Sequence, residues 1–211
     1  MRLGYVALLA TTLGCLATSA IAGSPAVVDF DDPSSLLFPS PYGQAFGNTP
    51  GQVVISQNGI NMSLDIFLSD PSPAGFFKAE IDGPLKDSFP TNPLELDNIS
   101  AMFDFSAVGF SVTQVTLDFE KLGGTENFAV NGGGVLQRIN LPDLPANIAP
   151  GVTASVIDGT VTLSGPISSF LIGGQELAID NVTAVPEPSS LLLLFGGAIA
   201  VFRRRLHRTT R

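Results

Sequence analysis

The chain has 211 residues, a formal charge of −9, one cysteine, one histidine and no tryptophan. Cys15 lies in the amino-terminal apolar run and His207 in the carboxy-terminal basic tail, so the body between them has neither. This excludes disulfides, thiolate nucleophiles, Cys or His metal ligation and Ser-His-Asp catalysis for the body, and the acidic balance excludes nucleic acid as a partner, because binding phosphates requires a cationic face.

Met1 to Ala22 reads as a secretory leader. Arg2 supplies the positive start, Leu3 to Leu16 is largely apolar, and Ala20-Ile21-Ala22 is a small-residue site that places cleavage before Gly23. Gly14-Cys15 partly matches a lipoprotein box, with Thr12 in place of the usual apolar residue. An uncut amino-terminal anchor is the other reading of the segment.

The body, Gly23 to Ala184, is long enough for one domain with a real core. Eighteen acidic residues face four basic ones there (Lys78, Lys86, Lys121 and Arg138), so the body alone carries a charge near −14. Such a surface admits divalent cations as partners, and self-repulsion that keeps the domain soluble is the plainer account of it.

Apolar and polar residues alternate with period two through most of the body. Ile60-Asn61-Met62-Ser63-Leu64-Asp65-Ile66 is the pattern of a half-buried strand. Asn58-Gly59 before it is a hairpin signal that sets Ile55 against Met62 and Val53 against Leu64. Asp158-Gly159 likewise sets Val156 against Val161 and Ala154 against Leu163. Gly173-Gly174, read as a third two-residue loop, would pair Phe170 with Leu177. Further strands are predicted over Val27 to Phe30, Phe76 to Ile81, Ile99 to Phe105, Val112 to Phe119 and Glu126 to Val130. Leu122-Gly123-Gly124-Thr125 reads as a hairpin connection, and Pro71 to Gly75 and Leu141 to Pro150 as loops. No segment of the body keeps a 3.6-residue period. The prediction is an all-β domain, an antiparallel two-sheet sandwich or jelly roll, with an amino-terminal signal helix and a short carboxy-terminal transmembrane helix.

The last 27 residues change character. Val185-Pro186-Glu187-Pro188 reads as an exposed, extended breaker, because two prolines fix φ and remove backbone donors. Leu191 to Phe202 carries no charge, and arginines follow at 203, 204, 205, 208 and 211. Arg203, Arg204 and Arg205 stand where the positive-inside rule stops a membrane segment. As a helix the uncharged run spans about 18 Å against about 30 Å of hydrocarbon, so the anchor is marginal even with snorkelling arginines. A hydrophobic hairpin packed within the domain is the other reading, but it has no need of three consecutive arginines.

A Pro-Glu-Pro motif at 186–188, a short apolar segment and a terminal arginine cluster together resemble the PEP-CTERM sorting signal of exopolysaccharide-producing Gram-negative bacteria. The resemblance implies that an exosortase, an integral-membrane transpeptidase-like enzyme, recognises and cuts the tail near the motif. Pro186, Glu187 and Pro188 are then recognition residues. It also implies export, a transient stay in the inner membrane, and release to the cell surface or extracellular matrix. The organisation is therefore leader 1–22, β-domain 23–184 and sorting tail 185–211.

Within the body, Val28-Asp29-Phe30-Asp31-Asp32 and Gly173 to Val182 resemble the first and last strands of galactose-binding-like and carbohydrate-binding-module jelly rolls. Several members of that group hold a structural calcium between those strands. The matching positions here are Asp29, Asp31 and Asp180, which offer the hard oxygen ligands that Ca²⁺ takes. Solvated strand-end aspartates are the simpler reading.

Sugar platforms are scarce. There is no tryptophan, Tyr42 is the body's only tyrosine, and Phe103, Phe105 and Phe119 sit in strand alternation that suits a core. Phe46 and Phe76-Phe77 are the phenylalanines near loops. A glycosidase needs two facing carboxylates, and the spacing of Glu80, Glu95, Glu120 and Glu126 selects no pair. The expected function is that of a non-enzymatic exported protein, sorted through its tail and associated with exopolysaccharide. A carbohydrate-binding module is the alternative.

Overall fold

The computed structural model describes residues 23–31, 40–41, 51–66, 78–81 and 89–187. The leader, the loop at Pro71 to Gly75, Tyr42, Phe46, Phe76-Phe77, Pro188 and the tail with its arginines lie outside the described residues.

Thirteen strands form among them: β1 (Ala26–Val28), β2 (Ser40–Pro41), β3 (Val53–Gln57), β4 (Ile60–Ile66), β5 (Lys78–Ile81), β6 (Leu94–Asp97), β7 (Ile99–Asp104), β8 (Val112–Val130), β9 (Leu136–Ile139), β10 (Asn147–Ala149), β11 (Val152–Ile157), β12 (Thr160–Ser164) and β13 (Ser169–Pro186). A 3₁₀ turn at Leu141–Asp143 is the one helical piece of the described residues. All pairings are antiparallel, in one continuous hydrogen-bonded sheet.

Two strands are far longer than the rest, β8 with 19 residues and β13 with 18. A straight strand of that length would run about 60 Å. These do not run straight. Residues 165–169 are bonded to both ends of β8 at once. The Gly165 and Ile167 N–H groups donate to Thr113 O (2.9 Å) and Val112 O (3.1 Å), while Asn131 N–H donates to Ser169 O (2.9 Å). The Asn131 side chain adds its amide to Pro166 O (2.7 Å) and accepts from Ser168 N–H (2.8 Å). Both strands therefore double back, and remain paired with each other from Phe170↔Val130 to Pro186↔Val112.

The bend falls at the glycines. Register slips occur between Gly174 and Glu176 and between Glu176 and Leu177, opposite Gly123 and Gly124, and Gly124 holds a φ of +66°. A Cβ on Gly174 would overlap Leu177 Cβ, and one on Gly173 would lie 2.9 Å from Ile99 O and overlap the Ser100 hydroxyl. The third strand in line bends at the same level. β6 pairs with Leu177–Ile179 and β7 with Ser169–Gly174, separated only by Asn98 at a φ of +54°. These are bulge and close-approach glycines. The two-residue loop predicted at Gly173-Gly174 and the hairpin connection predicted at Leu122 to Thr125 are thus corrected: Phe170 pairs with Phe103 and Val130, Leu177 with Leu96 and Lys121.

Doubling back creates the two layers of a sandwich without breaking the sheet. One buried hydrophobic cluster lies between them, with residues from β11 and β12 (Val152, Leu163) as well as β4 and β7 (Met62, Phe103). Phe103 stacks on Phe170 at 4.8 Å, and Phe105 and Phe128 lie at 5.9 and 6.0 Å from the same ring. Phe103, Phe105 and Phe119 are all buried, as their alternation requires.

The two remaining hairpins form as predicted. Asn58 and Gly59 adopt φ of +53° and +83°, Asp158 and Gly159 +48° and +79°, values that match the right-handed strand twist. Ile55 faces Met62, Val156 faces Val161 and Ala154 faces Leu163. Val53 faces Ser63 rather than Leu64, because a bulge between Val53 and Ile55 shifts the register. Leu141 to Pro150 holds the 3₁₀ turn and β10 rather than loop alone.

The corner glycines generate a graded prediction. Gly174→Ala should lower stability by roughly 1–3 kcal/mol, the usual cost of overpacking against atoms that cannot move away. Gly123→Ala should cost clearly less, since its nearest neighbour is the far end of the Glu176 side chain. Denaturant melts of the two variants check the order; equal losses would contradict the bend.

Candidate functional site

The sorting motif begins inside the sheet. Ala184 pairs with both Ala26 of β1 and Val115 of β8; Val185 pairs with Gln114 and Pro186 with Val112. Pro186 is buried and Glu187 is exposed. Glu187 N–H donates to Ser111 O at 3.2 Å. Val185 and Pro186 therefore close the ladder of the sandwich and are not the exposed breaker predicted; of the motif residues described, only Glu187 is exposed. Proline suits that rung because it ends a ladder that the chain is about to leave. Sequence reading missed this because the prolines mask the apolar alternation Val182, Ala184, Pro186, all buried.

Of the three aspartates of the expected calcium site, Asp29 and Asp31 follow β1 and Asp180 lies within β13, two residues before the Val28↔Val182 pair. Phe30 takes a left-handed backbone, φ +56°, and turns the chain there. Asp29 Oδ1 accepts from Gln57 Nε2 (3.1 Å) and Asp31 N–H (3.3 Å), and Asp31 Oδ1 accepts from Asn92 N–H (3.1 Å). Asp180 is fully buried, accepting from Thr91 Oγ1 (2.5 Å) and Asn181 N–H (2.7 Å). Asp31 and Asp180 lie close enough to repel. Each carboxylate is already held by protein donors, and among the described residues no group of three or more His, Cys, Asp or Glu side chains forms a metal cluster. The trio is not assembled as a ligand set.

Asp118, cross-strand to Asp180, belongs to the same acidic rim. Its oxygens accept from Thr160 Oγ1 (2.7 Å) and Asn181 Nδ2 (3.1 Å). With Phe89, Glu120 and Asp158 it lines an open groove of about 320 Å³.

Of the four glutamates considered for catalysis, Glu80 and Glu95 are cross-strand neighbours. Glu126 is fully buried. Its Oε2 accepts Leu141 N–H at 3.1 Å and its Oε1 lies 3.1 Å from Lys121 Nζ. The Lys121 contact is ionic without the angle of a directed hydrogen bond. Lys121 Nζ also donates to Asn140 Oδ1 at 2.6 Å. The network holds the 3₁₀ turn against the corner of β8. Glu120 and Glu126 are thus separated in role, one on the acidic rim and the other a structural anchor, which their spacing alone does not show.

Burial raises the Asp180 pKa above the ordinary aspartate value. The Thr91 and Asn181 hydrogen bonds pull it down, and repulsion from Asp31 and Asp118 adds to the rise. An acid raised by folding favours the folded state while protonated. Its contribution is complete below the unfolded value, about 3.9, and is lost as pH climbs through the higher folded value. Asp180→Asn stays neutral throughout. Its melting temperature should therefore gain on the wild type's as pH climbs above the unfolded aspartate value; parallel profiles would contradict the assignment.

Among the described residues no helix is long and apolar enough to cross a membrane. Residues 184–205 match the PEP-CTERM protein-sorting motif. No curated protein and no solved structure matches the chain. The match opens at Ala184, inside β13, so the body and the motif share their boundary rung. The chain carries a PEP-CTERM protein-sorting motif at residues 184–205, and with it the signal of a protein exported through the membrane to the cell surface and processed by an exosortase.

Proposed function

We propose that the body is a non-enzymatic surface or matrix protein of a Gram-negative bacterium, retained with exopolysaccharide after its tail is processed. The observation that carries the reading is the sorting motif itself, continuous with the last strand of the domain. Two features of the body support it. Its buried carboxylates are spent on the fold: Glu126 holds Lys121 and the Leu141 amide, and Asp180 holds Thr91 and Asn181. The surface is strongly acidic, which keeps an exported domain soluble and dispersed.

Carbohydrate binding remains the second reading, favoured by the groove at Asp118, Glu120, Asp158 and Asn181, whose rim offers acceptors and an amide to sugar hydroxyls. A glycan array with the exported protein separates the two, because reproducible binding to one sugar class would replace general retention by recognition.

Fractionation of cells tests the main reading. Wild type should appear as a shortened form in the matrix fraction and shift to the culture medium in a strain that makes no exopolysaccharide. A variant with Pro186, Glu187 and Pro188 replaced by alanine should be exported and stay full length in the inner membrane. Wild type distributed alike in both strains would refute the matrix association, and normal processing of the variant would refute the role given to the motif.

A further inference from the structure

Both ends of the body leave it at one place. A Cβ on Gly23 would lie 3.6 Å from Phe110 Cδ1 and 4.0 Å from Pro186 Cγ, and Glu187 N–H is bonded to Ser111 O. Gly23 follows the expected leader site, and Glu187 precedes the apolar run of the tail. The two segments that engage the membrane are therefore attached to the same end of the sandwich, the end opposite the glycine bend.

The tether on that end is short. Pro188, Ser189 and Ser190 alone separate Glu187 from Leu191, where the uncharged run begins. Fully extended, the step from 187 to 191 reaches at most about 14 Å. The headgroup layer on one side of a bilayer takes about 5–8 Å of that. While the tail is in the membrane, the end of the body at Glu187 is held within roughly 10 Å of the headgroups.

The chemistry of that end suits the position. Among the described residues it holds the loops Phe105 to Ser111 (Phe-Ser-Ala-Val-Gly-Phe-Ser), Asn131 to Val135 (Asn-Gly-Gly-Gly-Val) and Gly165 to Ser168 (Gly-Pro-Ile-Ser), with the Asn58-Gly59 turn packed against Ala107 and Val108. None of these residues is charged, in a body whose charge is near −14. Ala107 and Gly109 are exposed, Val108 and Phe110 half-exposed. The loops enclose an open groove of about 500 Å³ lined by Phe105, Phe110, Val112, Pro166 and Ile167. At the margin, Asp104 turns its carboxylate to the Ser106 N–H and hydroxyl, each at 2.9 Å, and Glu187 is exposed beside the exit. An anionic leaflet repels the acidic rim around Asp118 and Asp158, but it does not repel this end. An uncharged loop with a phenylalanine at the rim is what an interfacial contact takes.

We propose that the loop Phe105 to Ser111, with its neighbours at 131–135 and 165–168, rests on the lipid headgroup region while the precursor is tethered, orienting the body with its acidic groove outward. The inference rests on the reading that the tail is membrane-inserted before processing.

The absence of tryptophan makes the test direct. Single-tryptophan precursors that retain the tail are placed in phosphatidylethanolamine–phosphatidylglycerol vesicles containing brominated lipid. Phe110→Trp and Ala107→Trp report on the proposed contact; Ile157→Trp reports on the far hairpin, where the native side chain is 69% exposed. The two probes at 107 and 110 guard against a substitution that disturbs packing. Both should be quenched at least twofold more than Trp at 157. Equal quenching at all three positions would overturn the proposal, as would quenching at 107 and 110 only after an exosortase is added, which would assign the surface to the enzyme. Loss of vesicle association by all three precursors would refute the tether reading itself and is distinguishable from both.

Discussion

The pairing of β8 with β13, held through a shared bend, is the constraint on which the remaining structure depends. Neither strand is long because it spans a large sheet. Each is long because it crosses from one layer to the other and returns to the level at which it began, so that residues 165–169 reach Val112 and Asn131 together. Five of the described strands pair with it directly: β12 and β1 with the halves that contain Val115 and Val182, β7 and β9 with those that contain Phe170 and Phe128, and β6 with Leu177–Ile179; the others extend the sheet outward from these. Glycine is required at the bend because neighbouring atoms already occupy the space of a side chain at Gly173 and Gly174.

The bend also divides the molecule chemically. Near it, and along the middle of the strands, lie Lys121, Glu126, Glu176 and the Asp31–Asp118–Asp180 group. At the other end the loops are uncharged and the chain enters and leaves. The sorting motif inherits its setting from this arrangement. Its first proline is packed into the last rung, its glutamate is exposed, and its position relative to the domain is fixed by Val112 and Ser111.

Much of this was legible in the sequence, and the part that was not has one physical origin. Asn58-Gly59 and Asp158-Gly159 announced hairpins because positive φ at two successive residues is a local requirement, and the strands beside them agreed on register. Gly123-Gly124 and Gly173-Gly174 look the same in one dimension, yet Gly123, Gly124 and Gly173 answer to long-range crowding from Glu176, Gln175 and Ser100, and only Gly174 meets a neighbour as near in sequence as Leu177. No short window contains both partners of the first three contacts. The same limit separated β6 from attention, since Leu94 to Asp97 is held by Ile179 and Ala79, distant residues. The tail was the easiest part to read, because its signal is linear and is recognised as a peptide. The aspartates were the hardest. Asp29, Asp31 and Asp180 do come from the paired end strands, but their hydrogen bonds to Gln57, Asn92 and Thr91 depend on residues that the strand pattern does not place.

The doubling back of β8 is the claim to test first. With Cys15 replaced by serine, cysteines introduced at Ser111 and Gly132 can carry a pair of spin labels across the full length of the strand. If β8 folds over with β13, the labels lie within about 20 Å, the roughly 10 Å between packed sheets plus the label arms. A separation approaching the ~60 Å of a straight strand would contradict the two-layer arrangement, and with it the placing of both chain exits at one end.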